Sequence, residues 1–279
     1  MYRLVIQAPE IATPDLKQLA RLSDAYEIQA ITPQAFKLLG AQIDNEEAVA
    51  DFCESNQLDH AFVPEDLGLA DIGLVVMDMD STLITIECID EIADLMGIKP
   101  QVAEITAAAM RGELDFRQSL TRRVALLAGL EFDALQRVYD ERLQLMPGAE
   151  AMLKGFQAVG ARTLLISGGF TYFTDRLQTR LDLSRAIANV LEVEHGKLTG
   201  RLNEDIVDAA RKRDELIRYR DELGLARQQV VALGDGANDL PMLHEAGFGI
   251  ACHAKPKVQA EAPFKLNHVG LDGALNYFR

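Results

Sequence analysis

Apolar residues fall into two rhythms along this chain. In Leu74-Val75-Val76-Met77, Thr163-Leu164-Leu165-Ile166 and Val230-Val231-Ala232-Leu233 they run almost without interruption. Short unbroken runs of this kind predict strands buried on both faces, as in a parallel sheet. Residues 149–159, 172–181 and 208–223 are predicted helices, the last ending at Gly224. Later strands are predicted at 248–251 and 264–266, and residues 190–202, with Glu194-His195-Gly196-Lys197 between apolar segments, read as a hairpin. Strands alternating with helices predict an α/β fold around a parallel sheet.

Residues 87–143 interrupt that alternation. Ile89, Ile92, Ala93 and Met96 share one helical face, and Val102, Ile105 and Ala109 continue it. Gly97, Pro100, Gly112 and Gly129 divide the stretch into three or four helices, read as an inserted helical cap. The first 70 residues follow another pattern. A strand at 2–8 precedes a helix at 13–26 opened by Thr13 and Pro14. Short strands at 27–31 and 35–39, a helix at 45–56 with Glu46 and Glu47 in its first turn, and a strand at 60–63 follow. The order βαββαβ is ferredoxin-like. By element order it resembles the amino-acid-binding ACT domains; a dimerising or scaffolding lobe is the plain alternative. Pro64-Glu65-Asp66-Leu67-Gly68 reads as a linker. The expected organisation is an N-terminal α+β lobe over residues 1–70, then an α/β domain over 73–279 with its cap at about 87–143.

Charge narrows the partners. The formal net charge is −15, which argues against nonspecific binding to nucleic acid or an anionic membrane. The lobe through Ile72 holds 13 acidic and 4 basic residues, a net of −9. The opening residues carry too short an apolar run for a signal peptide, and no stretch approaches a membrane span. Cys53, Cys88 and Cys252 are odd in number and widely spaced, which suits a reducing cytoplasm better than a disulfide framework. The five histidines show no zinc-ligand spacing.

The chemistry gathers where the three buried strands end. Asp78 and Asp80 follow the first, Ser167-Gly168-Gly169 the second, and Gly234-Asp235-Gly236-Ala237-Asn238-Asp239 lies at the end of the third. In a parallel sheet with helical crossovers these loops share one edge, where ligands bind. Taken alone, the first aspartate pair is equally well a turn capping the next segment. Together, four carboxylates call for a compensating cation, and an oxygen-only donor set points to magnesium rather than zinc. Ser167 and its glycines can turn a hydroxyl and N–H groups toward an anion, at the start of the following helix.

Asp78-Met79-Asp80-Ser81-Thr82, Ser167-Gly168-Gly169-Phe170, a lysine before the last of these strands and Gly234-Asp235-Gly236-Ala237-Asn238-Asp239 resemble, in order and placement, the four motifs of the haloacid dehalogenase (HAD) superfamily, over about residues 73–279. Glu87-Cys88-Ile89-Asp90-Glu91, the segment Asp115 to Val124 and the full Gly-Asp-Gly-Ala-Asn-Asp run are similar to its phosphoserine phosphatase family. The resemblance implies a Rossmann-like core and magnesium-dependent hydrolysis of O-phosphoserine, the last step of serine biosynthesis. It implies Asp78 as nucleophile, forming an aspartyl-phosphate, and Asp80 as the acid that then serves as base. Asp80's task needs a raised pKa, expected from burial beside Asp78. It further implies magnesium on the Asp78 carboxylate, the Asp80 carbonyl and the Asp235 carboxylate, with Asp239 supporting these ligands.

Ser167, Gly168 and Lys212 are the implied phosphate-binding groups, and Asn238 reaches the phosphate or the substrate. For Lys212, set between Arg211 and Arg213, a solvated basic helix face is the alternative. Glu87 is implied as partner of the substrate ammonium and Arg123 of its carboxylate. On periodicity alone they read as a helix-start acid and a solvated helix arginine. Phe116 and Met110 are candidate pocket walls. Two rival functions stand beside this one: phosphoryl transfer from Asp78 to an alcohol such as homoserine, which the same residues would serve, and a non-enzymatic sensor in which the N-terminal lobe binds serine and the phosphatase lobe is vestigial. A homodimer through the N-terminal lobe and a cytoplasmic location complete the expectations.

Overall fold

The computed structural model describes residues 1–203 and 205–279. The chain divides into two compact units, one of Met1–Val75, Pro147–Arg162 and Arg220–Arg279, the other of Val76–Met146 and Thr163–Tyr219.

The first unit opens with strands β1 (Tyr2–Gln7), β2 (Glu27–Thr32), β3 (Ala35–Ala41) and β4 (Asp59–Pro64). They form an antiparallel sheet in the order β2-β3-β1-β4, the ferredoxin-like order that βαββαβ predicts. Helices Thr13–Leu22 and Glu46–Ser55 cover one face, where Leu4, Ile6, Leu16, Leu19, Leu38, Val49 and Phe62 form a core. The lobe is fastened to the rest of its unit by polar contacts. Asp59 is 3% exposed, and its carboxylate accepts the N–H groups of Asn267, His268 and Val269 at 2.7, 2.8 and 3.3 Å. Arg3 donates to the carbonyls of Pro64, Glu65, Leu67 and Tyr277. The stretch read as a linker is therefore pinned by a buried guanidinium.

Strand β5 (Leu74–Met77) is buried at every position. Beyond it come β6 (Arg162–Phe170), β7 (Arg185–Asn189), β8 (Leu191–Glu194), β9 (Lys197–Leu202), β10 (Val230–Gly234), β11 (Phe248–Cys252) and β12 (Phe264–Leu266). The large sheet has the order β12-β11-β10-β5-β6-β7, and β6–β7, β10–β11 and β11–β12 pair in parallel. Strands β8 and β9 make the predicted hairpin; its turn residues His195 and Gly196 have φ of 52° and 78°, the left-handed pair of a type I′ turn.

In the second unit the predicted cap consists of helices Cys88–Leu95, Lys99–Met110, Phe116–Ala125 and Ala134–Glu141. Asp115 fixes the start of the third by accepting the Gln118 N–H at 2.8 Å, while the Gln118 side chain returns to the Asp115 N–H. Among the described residues, no helix is long and apolar enough to cross a membrane.

Candidate active site

The buried run of β5 ends at Asp78, which leaves the strand in extended conformation and accepts the Met79 N–H at 2.7 Å. Only 6% of Asp78 is exposed. Its Oδ2 lies 2.7 Å from Nζ of Lys212, a fully buried lysine on the helix Ala209–Glu222. The flanking arginines behave otherwise: Arg211 pairs with Glu215 and Arg213 with Asp214, both partly solvated. Of the three basic residues, it is thus the middle one that is brought to the aspartate.

Asp80 sits one step along a tight turn in which Ser81 takes a left-handed φ of 55°. Its Oδ1 accepts the Cys88 N–H at 3.1 Å. Burial, and then the negative charge of Glu87, push the Asp80 carboxyl up to about 7. The expected direction is met and burial is its main cause, with the charge of Glu87 next, while Asp78 faces Lys212. Glu87 itself is exposed, and instead of capping the helix that follows it accepts a hydrogen bond from Ser81 Oγ at 2.8 Å.

Ser167 and Gly168, expected in a loop between strand and helix, lie instead on β6, which runs on through them to Phe170 with an irregular register; the predicted helix follows at Thr171–Leu181. Ser167 is 1% exposed and its Oγ accepts the Gly169 N–H at 2.9 Å. A methyl group on Gly169 would lie 2.9 Å from Asp80 Oδ2 and 3.1 Å from Ser167 Oγ, so this glycine lets the loop and the acid approach. Asn189, at the end of β7, donates to the Gly168 carbonyl and accepts from the Val207 N–H, both at 2.8 Å.

Arg123 and Arg122, adjacent on one helix, differ in setting. Arg122 is exposed, whereas Arg123 is half-buried and its Nε has no hydrogen-bond partner. Burial lowers the Arg123 pKa, and Asp90, Glu87 and Asp80 oppose that shift. Phe116 reaches the phosphate-loop candidate: its Cζ would be 2.9 Å from a methyl on Gly168. Met110, the other proposed wall, is 74% exposed on its helix.

In the first unit, Asp239 is fully buried and its Oδ2 accepts the Gly236 N–H at 3.0 Å, closing the loop after β10. Asp235 and Asn238 on this loop are half-buried. Asp235 and Asp239 here, like Asp78 in the second unit, are carboxylates of the kind that can ligate a metal ion. A donor set of carboxylate oxygens, without thiolate or imidazole, fits a hard cation such as magnesium.

Comparison with known proteins gives a family. The haloacid dehalogenase-like hydrolase model matches residues 72–247. The chain belongs to the haloacid dehalogenase-like hydrolases. Within this family it is 49% identical to a phosphoserine phosphatase of Polaromonas sp. over 75% of this chain and 91% of that one. It is 49% identical to one of Haemophilus influenzae, over 74% and 66%. The crystal structure of a probable phosphoserine phosphatase from Vibrio cholerae superposes with a TM-score of 0.84 at 36% identity, over 99% and 86% of the two chains. A substrate-bound phosphoserine phosphatase complex gives 0.70 at 35% identity, over 75% and 99%. Residues 4–49 match a domain of unknown function.

Two residues of this site escape a reading of the sequence. Asn189 closes a strand too short and too poor in large apolar residues to give a signal. Cys88 looks like any helix-start core residue, yet it contacts Asp80.

Proposed function

We propose that this chain is a phosphoserine phosphatase, hydrolysing O-phospho-L-serine to serine and inorganic phosphate as the last step of serine biosynthesis. The observation that carries the reading is the pairing, within one unit, of a buried Asp78–Lys212 contact with an Asp80 carboxyl pushed to about 7. A nucleophile and an acid that can hold a proton near neutrality are what phosphoester cleavage through a covalent intermediate needs. The names of the relatives supply the substrate.

Asp78 attacks phosphorus, the bond from phosphorus to the seryl oxygen breaks, and Asp80 gives its proton to that oxygen. Water then attacks the aspartyl-phosphate, its proton goes to Asp80, and phosphate leaves with Asp78 restored. Lys212 screens the charge of nucleophile and phosphate throughout. Ser167 and Gly168 hold phosphoryl oxygens, and Asn238 reaches phosphate or substrate. The Asp78 carboxylate, the Asp80 carbonyl and the Asp235 carboxylate, with Asp239 supporting them, would hold magnesium, which would supply positive charge to offset repulsion between nucleophile and phosphate. Glu87 takes the substrate ammonium, and Arg123, whose Nε is buried without a partner, takes the carboxylate. The same reading keeps residues 1–70 as an ACT-like domain, residues 73–279 as the phosphatase domain with its cap, a cytoplasmic location and a homodimer through the N-terminal lobe.

Phosphate release from L-phosphoserine, with magnesium and then with EDTA, beside a panel of other phosphomonoesters, tests this. Fast, magnesium-dependent release favouring phosphoserine is expected. Release without preference would discard Glu87 and Arg123 as specificity residues, and no release would favour the sensor.

A further inference from the structure

Cys88 opens the helix Cys88–Leu95, and its side chain is fully buried. Glu87, in the position that usually caps a helix, makes no cap bond. The first N–H of the helix goes instead to Asp80 Oδ1, 3.1 Å away, so a carboxyl from eight residues earlier stands where a cap would be. The Cys88 thiol is also hydrogen-bonded to the Asp80 carboxyl. The other carboxyl oxygen, Oδ2, faces Gly169 on the Ser167-Gly168-Gly169 loop.

We propose that Cys88 is a positioning residue for proton transfer: its N–H and S–H grip the Asp80 carboxyl so that it meets the oxygen of the departing alcohol. The inference rests on the reading of Asp80 as proton donor given above. A cysteine that only fills space predicts something different. Losing its sulfur would then loosen the core and slow all substrates alike. Losing a grip on the acid harms only substrates that need the acid. An alkyl phosphate expels an alkoxide and needs a proton, whereas p-nitrophenyl phosphate expels a stabilised phenolate and does not. The ratio kcat/KM registers steps only as far as departure of this group, so slow hydrolysis of the aspartyl-phosphate cannot mask the difference.

The test is kcat/KM for the wild type, Cys88→Ala and Cys88→Ser on phosphoserine and on p-nitrophenyl phosphate in magnesium, with urea midpoints recorded for each. Cys88→Ala is expected to lose roughly 10-fold or more on phosphoserine and less than about 3-fold on the aryl ester. Cys88→Ser, which restores a donor, is expected to return to within about 3-fold of the wild type on both. Equal losses on the two esters, or a serine variant as poor as alanine, would overturn the proposal. Wild-type activity tests the substrate reading separately. Were phosphoserine refused, the comparison is read on whichever alkyl phosphate of the panel is hydrolysed, and Cys88 stands or falls on the alkyl-to-aryl ratio.

Discussion

Adding one methyl group at Gly169 should disable the acid without unfolding the protein. The Gly169 backbone is open to alanine, since its φ is not in the left-handed region. The difficulty is space. The new carbon would lie 2.8 Å from Met79 Cε, 2.9 Å from Asp80 Oδ2 and 3.1 Å from Ser167 Oγ. Met79 is fully buried and cannot swing into solvent. Ordinary carbon–oxygen contacts are about 3.3 Å or longer, so the Asp80 carboxyl must retreat by roughly half an ångström. Where a misplacement of about 1 Å can cost around 100-fold in rate, half of that corresponds to about 10-fold. Overpacking of this kind costs about 1–3 kcal/mol of stability. Gly169→Ala is therefore expected to lower kcat/KM on phosphoserine about 10-fold and to bring the urea midpoint down modestly. Gly168→Ala is the comparison: its methyl would meet the far end of the Phe116 ring at 2.9 Å, away from the acid. A Gly169→Ala enzyme with full activity and unchanged stability would refute the packing of Asp80 against this loop.

Lys212→Met keeps most of the side-chain volume but strands Asp78 without its buried partner; breaking such a pair costs about 3–5 kcal/mol, and a urea-denaturation difference below about 1 kcal/mol would contradict the role given to the contact. Arg123→Ala is expected to raise KM for phosphoserine roughly 30- to 100-fold through loss of charge-assisted hydrogen bonds, while phosphoethanolamine, which lacks the carboxylate, changes little; equal losses on both esters would remove Arg123 as the carboxylate clamp. Burial and then the charge of Lys265 push His60 down from 6.5 to about 4, so it stays neutral in the fold while the unfolded chain takes up a proton below pH 6.5. Stability is therefore lost as pH falls from 6.5 towards 4, by about 2 kcal/mol at pH 5. Denaturation midpoints at pH 7 and pH 5 should diverge in the wild type and converge in His60→Gln; equal pH dependence of the two proteins would show that His60 is not responsible.

The legible part of this chain was the part written in apolar runs and glycines. β5, β10 and the first half of β6 lie where unbroken apolar stretches predicted strands, because a strand buried on both faces admits little else. The hairpin followed from His195-Gly196, a pair able to adopt two left-handed conformations in succession. What stayed hidden depends on contacts between residues distant in sequence. β7 carries Arg185-Ala-Ile-Ala-Asn189, a pattern with no apolar rhythm, and it exists because β6 offers it a parallel partner. The choice of Lys212 over its two arginine neighbours could not come from periodicity; it depends on which residue of the helix turns inward to Asp78. The extension of β6 through Ser167 and Gly168 likewise needed a neighbouring strand, since glycines on their own signal a turn.

The same limit governs how the carboxylates were first read. From sequence they are equivalent anions that together call for a cation. In the structure Asp78, Asp80 and Asp239 differ in what compensates them, and the differences are what make chemistry available. Asp78 faces a lysine ammonium, so it can remain an anion in a nearly dry setting and act as a nucleophile. Asp80 has Glu87 beside it and little water, so near neutrality it can keep a proton, the property an acid needs. Asp239 is bound to a backbone N–H of its own loop and shapes that loop. A divalent cation then need not stabilise four identical charges. The task of such a cation would narrow to the approach of Asp78 to a second anion, the phosphate, where a single ammonium would leave the balance of charge negative.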